Sequence, residues 1–289
     1  MGTTIDAVAV ARGGRHSGAL QLADRAAQVC LAAAKVAPGD VDLLINSGLY
    51  RDRNLGEPAL AALIQEDVGM NPEDPHPGGH GSFSFDVANG ACGVLTGLQI
   101  ADRFLRAGTI RRALLVASDA DPGHHLARGF PFEPAGGAVT CTHEPGDRGL
   151  VDVVWGTWPD DGASWRATVG TETGRNQLHV DIDEGFYEQA GIAAAKVAVE
   201  LLAGSSTASS ELSVVVAAPS HLDFVRSFSS HSGIDEERVV VAPETSWHTV
   251  AFVGALQRAH DDGLLTHNGT ALFVCAGSGI TAGAALYRT

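Results

Sequence analysis

The chain has 289 residues, 45% hydrophobic and 18% charged, enough to bury a large core in one large domain or two fused ones. Its formal net charge of -15 argues against nucleic acid or an anionic membrane as partner, though not against a phosphate-bearing substrate held by a local basic cluster. No segment has the unbroken apolar length of a membrane span, Met1–Arg15 lacks a signal-peptide layout, and Cys30, Cys92, Cys141 and Cys275 are scattered without metal-type spacing. A cytoplasmic chain with reduced cysteines and no bound metal is expected.

In chain order, short apolar or β-branched runs predict strands over Ala7–Val10, Leu43–Asn46, Ala113–Ala117, Val151–Val154, Val214–Ala217, Val239–Ala242, Leu272–Cys275 and Ala284–Tyr287. Helical spacing predicts helices over Leu20–Lys35, Glu57–Val68, Val94–Ala107, Phe186–Leu202, Leu222–Ser230 and Val250–Asp262. The alternation means α/β. A weak internal echo links Leu98–Val116 to Leu256–Val274: each runs helix, glycine turn, buried strand. It suggests two similar halves, joined within the loop-like stretch Glu144–Asn176 and divided here as 1–155 and 156–289.

The segment that speaks most clearly about chemistry is Phe85-Asp86-Val87-Ala88-Asn89-Gly90-Ala91-Cys92-Gly93, a strand leading through small residues into a helix. A cysteine at such a helix start is expected to have a lowered pKa and to react fast with iodoacetamide, as a nucleophile requires. The alternative is a small buried cysteine in a tight turn. Ala276-Gly277-Ser278-Gly279-Ile280-Thr281-Ala282-Gly283 is a glycine-rich turn that lacks the helix and lysine of a phosphate loop. His221 precedes a helical run, where it serves either in a site or as a helix cap. His248 follows Trp247, in a site or a turn. His124-His125 suggest metal, but no third ligand is nearby and a solvated loop is expected.

Three stretches in order together resemble the thiolase superfamily, in particular its beta-ketoacyl-acyl-carrier-protein synthase III branch. Phe85–Asp119 is similar to that family's strand, Asn-Ala-Ala-Cys-x-Gly elbow, helix and strand. Pro219-Ser220-His221-Leu222-Asp223-Phe224-Val225-Arg226 is similar to its Pro-His-Gln-Ala-Asn-Leu-Arg, with one residue inserted after the proline. Gly277–Leu286 resembles its glycine-rich C-terminal loop. The resemblance implies a five-layered αβαβα fold of two similar halves, and a dimer with Glu133–Val139 packing near its centre. It also implies acyl chemistry on Cys92, supported by His221 and a second donor, with Ser246, Gly277, Ser278, Gly279 and Arg226 as substrate-binding candidates.

Three departures stand out. Counted without gaps from Phe85, the family cysteine falls on Ala91, one residue before Cys92. The family Asn-Thr-Ser is missing, and either His248 or Ser246 takes its asparagine's place, depending on the direction of counting. The N-terminal tryptophan and arginine contacts to coenzyme A are not visible.

The leading expectation is therefore an acyltransferase that takes an acyl group from a coenzyme A or carrier-protein thioester. With His248 in place of an amide, transfer to an oxygen, nitrogen or sulfur acceptor is expected over condensation with malonyl units. The alternatives are a non-catalytic partner of a related synthase in a heterodimer, and a thioester hydrolase. A homodimer is the default assembly, and no resident cofactor is expected.

Overall fold

The computed structural model describes residues 2–14, 16–70, 81–172 and 174–289. In chain order the elements are β1 (Gly2–Arg12), α1 (Ala19–Ala34), β2 (Leu43–Asn46), α2 (Leu60–Val68), β3 (Phe83–Asp86), α3 (Gly93–Arg106), β4 (Arg112–Asp119) and β5 (Ala135–Glu144). There follow β6 (Gly149–Thr157), β7 (Trp165–Glu172), β8 (Arg175–Ile182), α4 (Phe186–Ser205), β9 (Leu212–Ala218), α5 (Leu222–Ser232), β10 (Val239–Val240), α6 (Ala251–Asp261), β11 (Thr270–Gly277) and β12 (Thr281–Arg288).

The strands form two five-stranded sheets, ordered β1-β5-β4-β2-β3 and β10-β9-β11-β12-β6, and a separate hairpin β7-β8. Read from opposite ends, the two sheets have the same plan. Three strands run parallel (β3, β2, β4 and β10, β9, β11), and two more are added antiparallel (β5, β1 and β12, β6). The sequence echo between α3–β4 and α6–β11 is therefore a structural repeat. β6, which spans the expected junction at 155/156, pairs in the second sheet.

Helices α1 and α2 cover the outer face of the first sheet and α4 and α5 that of the second, while α3 and α6 pack between them. This is the five-layered αβαβα arrangement. The layering explains the burial. The core strands β4, β9 and β11 are apolar on both faces and almost wholly buried, as expected of strands covered on two sides.

Strand β5 escapes the sequence reading because Ala135-Gly136-Gly137-Ala138 has almost no β-branched character. Packing requires those small residues: a Cβ on Gly136 would lie 2.2 Å from the backbone oxygen of Leu22 in α1. Asp86, at the end of β3, accepts from the amides of Leu60 and Ala61 and from Asn46 Nδ2. It thereby satisfies free donors at the start of α2 and ties that helix to β2 and β3.

Across the α1–α2 contact, burial pushes the carboxyl of Asp24 up to about 7, and the neighbouring Asp67 carboxylate adds to the effect. The folded chain thus holds a proton there between about pH 4, the ordinary aspartate range, and about pH 7, whereas the unfolded chain releases it. Stability from this pair falls as pH rises through that window. Thermal melts of Asp24→Asn should show a higher midpoint than the parent at pH 8 and converge with it near pH 4. Equal midpoints at both pH values would contradict the assignment.

Candidate active site

The two halves meet where α3 and α6 begin. The segment between β3 and α3 makes a 3-10 turn over Gly90–Cys92, and the segment between β10 and α6 carries His248 one residue before Thr249. The ends of β4 and β11, Asp119 and Gly277, close the arrangement from each sheet.

Asp119 is its anchor. Oδ1 accepts from the backbone amides of Leu49 at 3.3 Å and Tyr50 at 3.1 Å. Oδ2 accepts from Thr249, from the amide at 2.8 Å and the hydroxyl at 2.7 Å. His248 Nδ1 stands 3.7 Å from the same oxygen, an ion-pair separation longer than a hydrogen bond. Burial raises the Asp119 carboxyl. The adjacent His248 imidazole, with the hydrogen bonds from Thr249 and Tyr50, outweighs burial and holds the group below its ordinary value. Asp119 is therefore a buried carboxylate, and His248 Nδ1, buried and without a hydrogen-bond partner, lies near it.

Three aromatic rings enclose the imidazole. Phe132 stacks on it with centroids 4.6 Å apart and Trp165 at 5.0 Å, while Tyr50 is tilted against it at 5.4 Å. Trp165 opens β7, so the hairpin β7-β8 closes one side of the site. The cavity beside His248 is only about 50 Å³ and is lined by Ala91, Phe132, Trp165, Phe186 and Gly277 among others. That is room for roughly one or two water molecules.

Ala91, and not Cys92, faces this cavity. Successive residues of a 3-10 turn point about 120° apart, so one step along the chain swings a side chain out of the cavity and into the core. Cys92 is fully buried in the cluster formed by α3, α6 and the sheets, and its Sγ donates to the Thr281 carbonyl at 3.4 Å. Burial pushes its thiol up to about 12. This runs against the expectation of a lowered pKa at Cys92: loss of solvation outweighs the favourable helix terminus. Cys30, Cys141 and Cys275 are buried too, and their thiols are also raised.

His221 does not join the others. Its Nδ1 accepts from the Asp223 amide at 3.3 Å, capping α5, and its ring stacks on Tyr187 at 3.9 Å. The residue next to the proline, Ser220, donates to the Ala242 carbonyl. The inserted residue thus sets His221 outside the enclosed cavity. Arg226 lies on the exposed face of α5. Ser246 and Gly277 line the cavity, Ser278 stands at its edge beside Gly90, and Gly279 takes a left-handed turn with φ +78°. His124 and His125 are exposed, beside Arg53 and Arg175. Among the described residues no group of three or more His, Cys, Asp or Glu is placed to hold a metal ion, and no helix is long and apolar enough to cross a membrane.

No family model matches the chain. Two curated relatives, beta-ketoacyl-[acyl-carrier-protein] synthase III of Alkalilimnicola ehrlichii and of Rhodospirillum centenum, are each 28% identical, over 92% of this chain and 83% of theirs. Among solved structures, 3-oxoacyl-(acyl carrier protein) synthase III, FabH, of Pseudomonas aeruginosa superposes with a TM-score of 0.82 at 19% identity, covering 100% of this chain and 98% of that one. The chain thus has the thiolase-like fold and resembles synthase III in sequence. OleA of Xanthomonas campestris, solved with bound lauric acid and lauroyl-CoA, shares the fold with a TM-score of 0.83 at 16% identity, over 100% and 99% of the two chains.

In this synthase III-like chain the sequence reading missed Asp119, Thr249 and the rings of Tyr50, Phe132 and Trp165. The one signal for Asp119 was a charged residue ending a buried apolar strand. Asp119→Ala leaves four donors, three backbone amides and one hydroxyl, without their acceptor. It should cost about 3 kcal/mol or more and lower the melting midpoint by several degrees. Thr249→Val, which removes one hydroxyl, should cost about 1 kcal/mol. Denaturant titrations that place the two variants equal would contradict this ranking.

Proposed function

We propose that this chain acts on acyl thioesters as a synthase III-like acyltransferase in which no cysteine carries the acyl group. The observation that carries this reading is Ala91 in the cavity beside His248, with Cys92 turned into the core. The base is His248, oriented by Asp119. A deprotonated Nε2 draws a proton from a hydroxyl, amine or thiol, which suits acyl transfer to such an acceptor more than decarboxylative condensation. The donor is a thioester of coenzyme A or of a carrier protein, by analogy with the synthase III relatives. The small cavity favours a short acyl group, since small-molecule pockets usually measure roughly 300–1,000 Å³.

Intact-protein mass spectrometry after incubation with a panel of acyl-coenzyme A thioesters tests the reading. The parent should form no thioester adduct at Cys92, whereas Ala91→Cys, which puts a thiol in the cavity, should gain one and become alkylated by iodoacetamide. An acyl adduct on Cys92 of the parent would refute the proposal.

A dimer is proposed on separate grounds. β3 pairs with β2 on one side and, among the described residues, with no strand on the other. The amides of Phe83 and Val87 point to the β2 side, so that of Ser84 faces the free edge, beside the 59% exposed Phe83. A second copy adding its β3 there would join the two first sheets and bury that ring. Light scattering should give a dimer for the parent. Ser84→Pro removes the outward donor and should shift the protein to monomer without lowering its melting point by more than a few degrees. A parent that is monomeric at micromolar concentration would rule the dimer out, and co-purification with a related synthase would favour the heterodimer.

A further inference from the structure

His248 has a carboxylate behind it, and in front of it lies a hydroxyl that belongs to the other half's hairpin turn. The position that a Cβ on Gly90 would occupy lies 3.4 Å from His248 Nε2 and 3.9 Å from Ser278 Oγ. Gly90 has no side chain and a φ of +49°, so both atoms border the same unfilled space above the elbow. Ser278 starts the turn between β11 and β12, just past the last paired residues Gly277 and Thr281, and it is exposed.

We propose that Ser278, His248 and Asp119 form a serine nucleophile, base and orienting carboxylate, and that the site transfers acyl groups through an ester on Ser278. This rests on the reading that Cys92 carries no acyl group. A serine hydroxyl is a weak nucleophile until a neighbouring base takes its proton, and the base works best when a third group fixes its orientation. In this proposal the groups come from different halves of the molecule: Asp119 from the first, and His248 and Ser278, which both border the space over Gly90, from the second. The chain order, carboxylate, histidine and serine, is immaterial to the chemistry, which depends on geometry.

Ser278 Oγ attacks the thioester carbonyl carbon while its proton passes to His248 Nε2. The C–S bond breaks, and the leaving thiolate takes that proton from the imidazolium. An acyl ester remains on Ser278. A water molecule, alcohol or amine then attacks the ester carbon and gives its proton to His248. The C–Oγ bond breaks, and His248 returns the proton to Ser278. The products are a free thiol and a carboxylic acid, ester or amide. No oxidant, reductant or metal is needed. Asp119 is a positioning residue, because it touches the imidazole and not the acyl group.

A fluorophosphonate probe applied to the full chain, followed by peptide mapping, tests the assignment. The parent should be labelled at Ser278. Ser278→Ala should abolish the labelling, and His248→Gln should lower its rate about a hundredfold or more, the usual size of a general-base contribution. Because His248 is buried and its replacement risks unfolding the site, Ser278→Cys gives a second measure. The introduced thiol should be alkylated by iodoacetamide with a midpoint clearly below the roughly pH 8.5 of a free cysteine. An unlabelled parent, labelling at another serine, undiminished labelling in Ser278→Ala, or an ordinary alkylation midpoint would overturn the proposal. An acyl adduct on Cys92 with acyl-coenzyme A would instead overturn the reading beneath it, so the two failures are told apart by which residue is modified.

Discussion

Much of the site depends on one buried carboxylate. Asp119 ends the central strand of the first sheet and accepts four hydrogen bonds, two from the turn after β2 and two from Thr249 at the start of α6. A carboxylate is tolerated in so dry a place only when its lone pairs are filled. The bonds that fill them also lock the two halves in register. His248 is the neighbour of Thr249, so its position follows from the same contact.

The duplicated architecture explains why the chemistry gathers where it does. Each half supplies a parallel strand end and the start of the following helix, and the pseudo-two-fold arrangement brings these features face to face. Gly90 before α3 and His248 before α6 stand at corresponding places in the repeat, as do Asp119 and Gly277 at the ends of β4 and β11. The halves have diverged in what they place there. The first contributes small residues and an acid; the second contributes the imidazole and the serine-bearing turn.

The enclosure of that imidazole comes from outside the repeat. Trp165 belongs to the β7-β8 hairpin, which the first half lacks, and Phe132 to the connection between β4 and β5. Stacking of these rings on His248 excludes water from one side of the base and narrows the cavity to about 50 Å³. The dry surroundings strengthen the pull of Asp119 on the ring, because charges interact more strongly where water is absent. The reactive edge is thereby confined to the open side over Gly90.

Much of this was legible in the sequence. Hydrophobic periodicity gave the alternation of strand and helix, the echo between α3–β4 and α6–β11, and the elbow at Gly90–Gly93, because these are local patterns of side-chain spacing. β5 was not, since its small residues lack the usual strand signal and its pairing is set by distant partners; the sequence reading also misses the hairpin β7-β8, although Leu178-His179-Val180-Asp181-Ile182 alternates apolar and polar residues. The count from Phe85 put the family cysteine's place at Ala91, but only the 3-10 turn decided that Ala91 faces the cavity and Cys92 the core. Likewise, His221 and His248 looked like comparable candidates in one dimension. Tertiary packing separated them: one caps a helix against Tyr187, and the other is drawn to Asp119. Charge, burial and direction at a site depend on atoms brought together from far along the chain, and no local spacing encodes them.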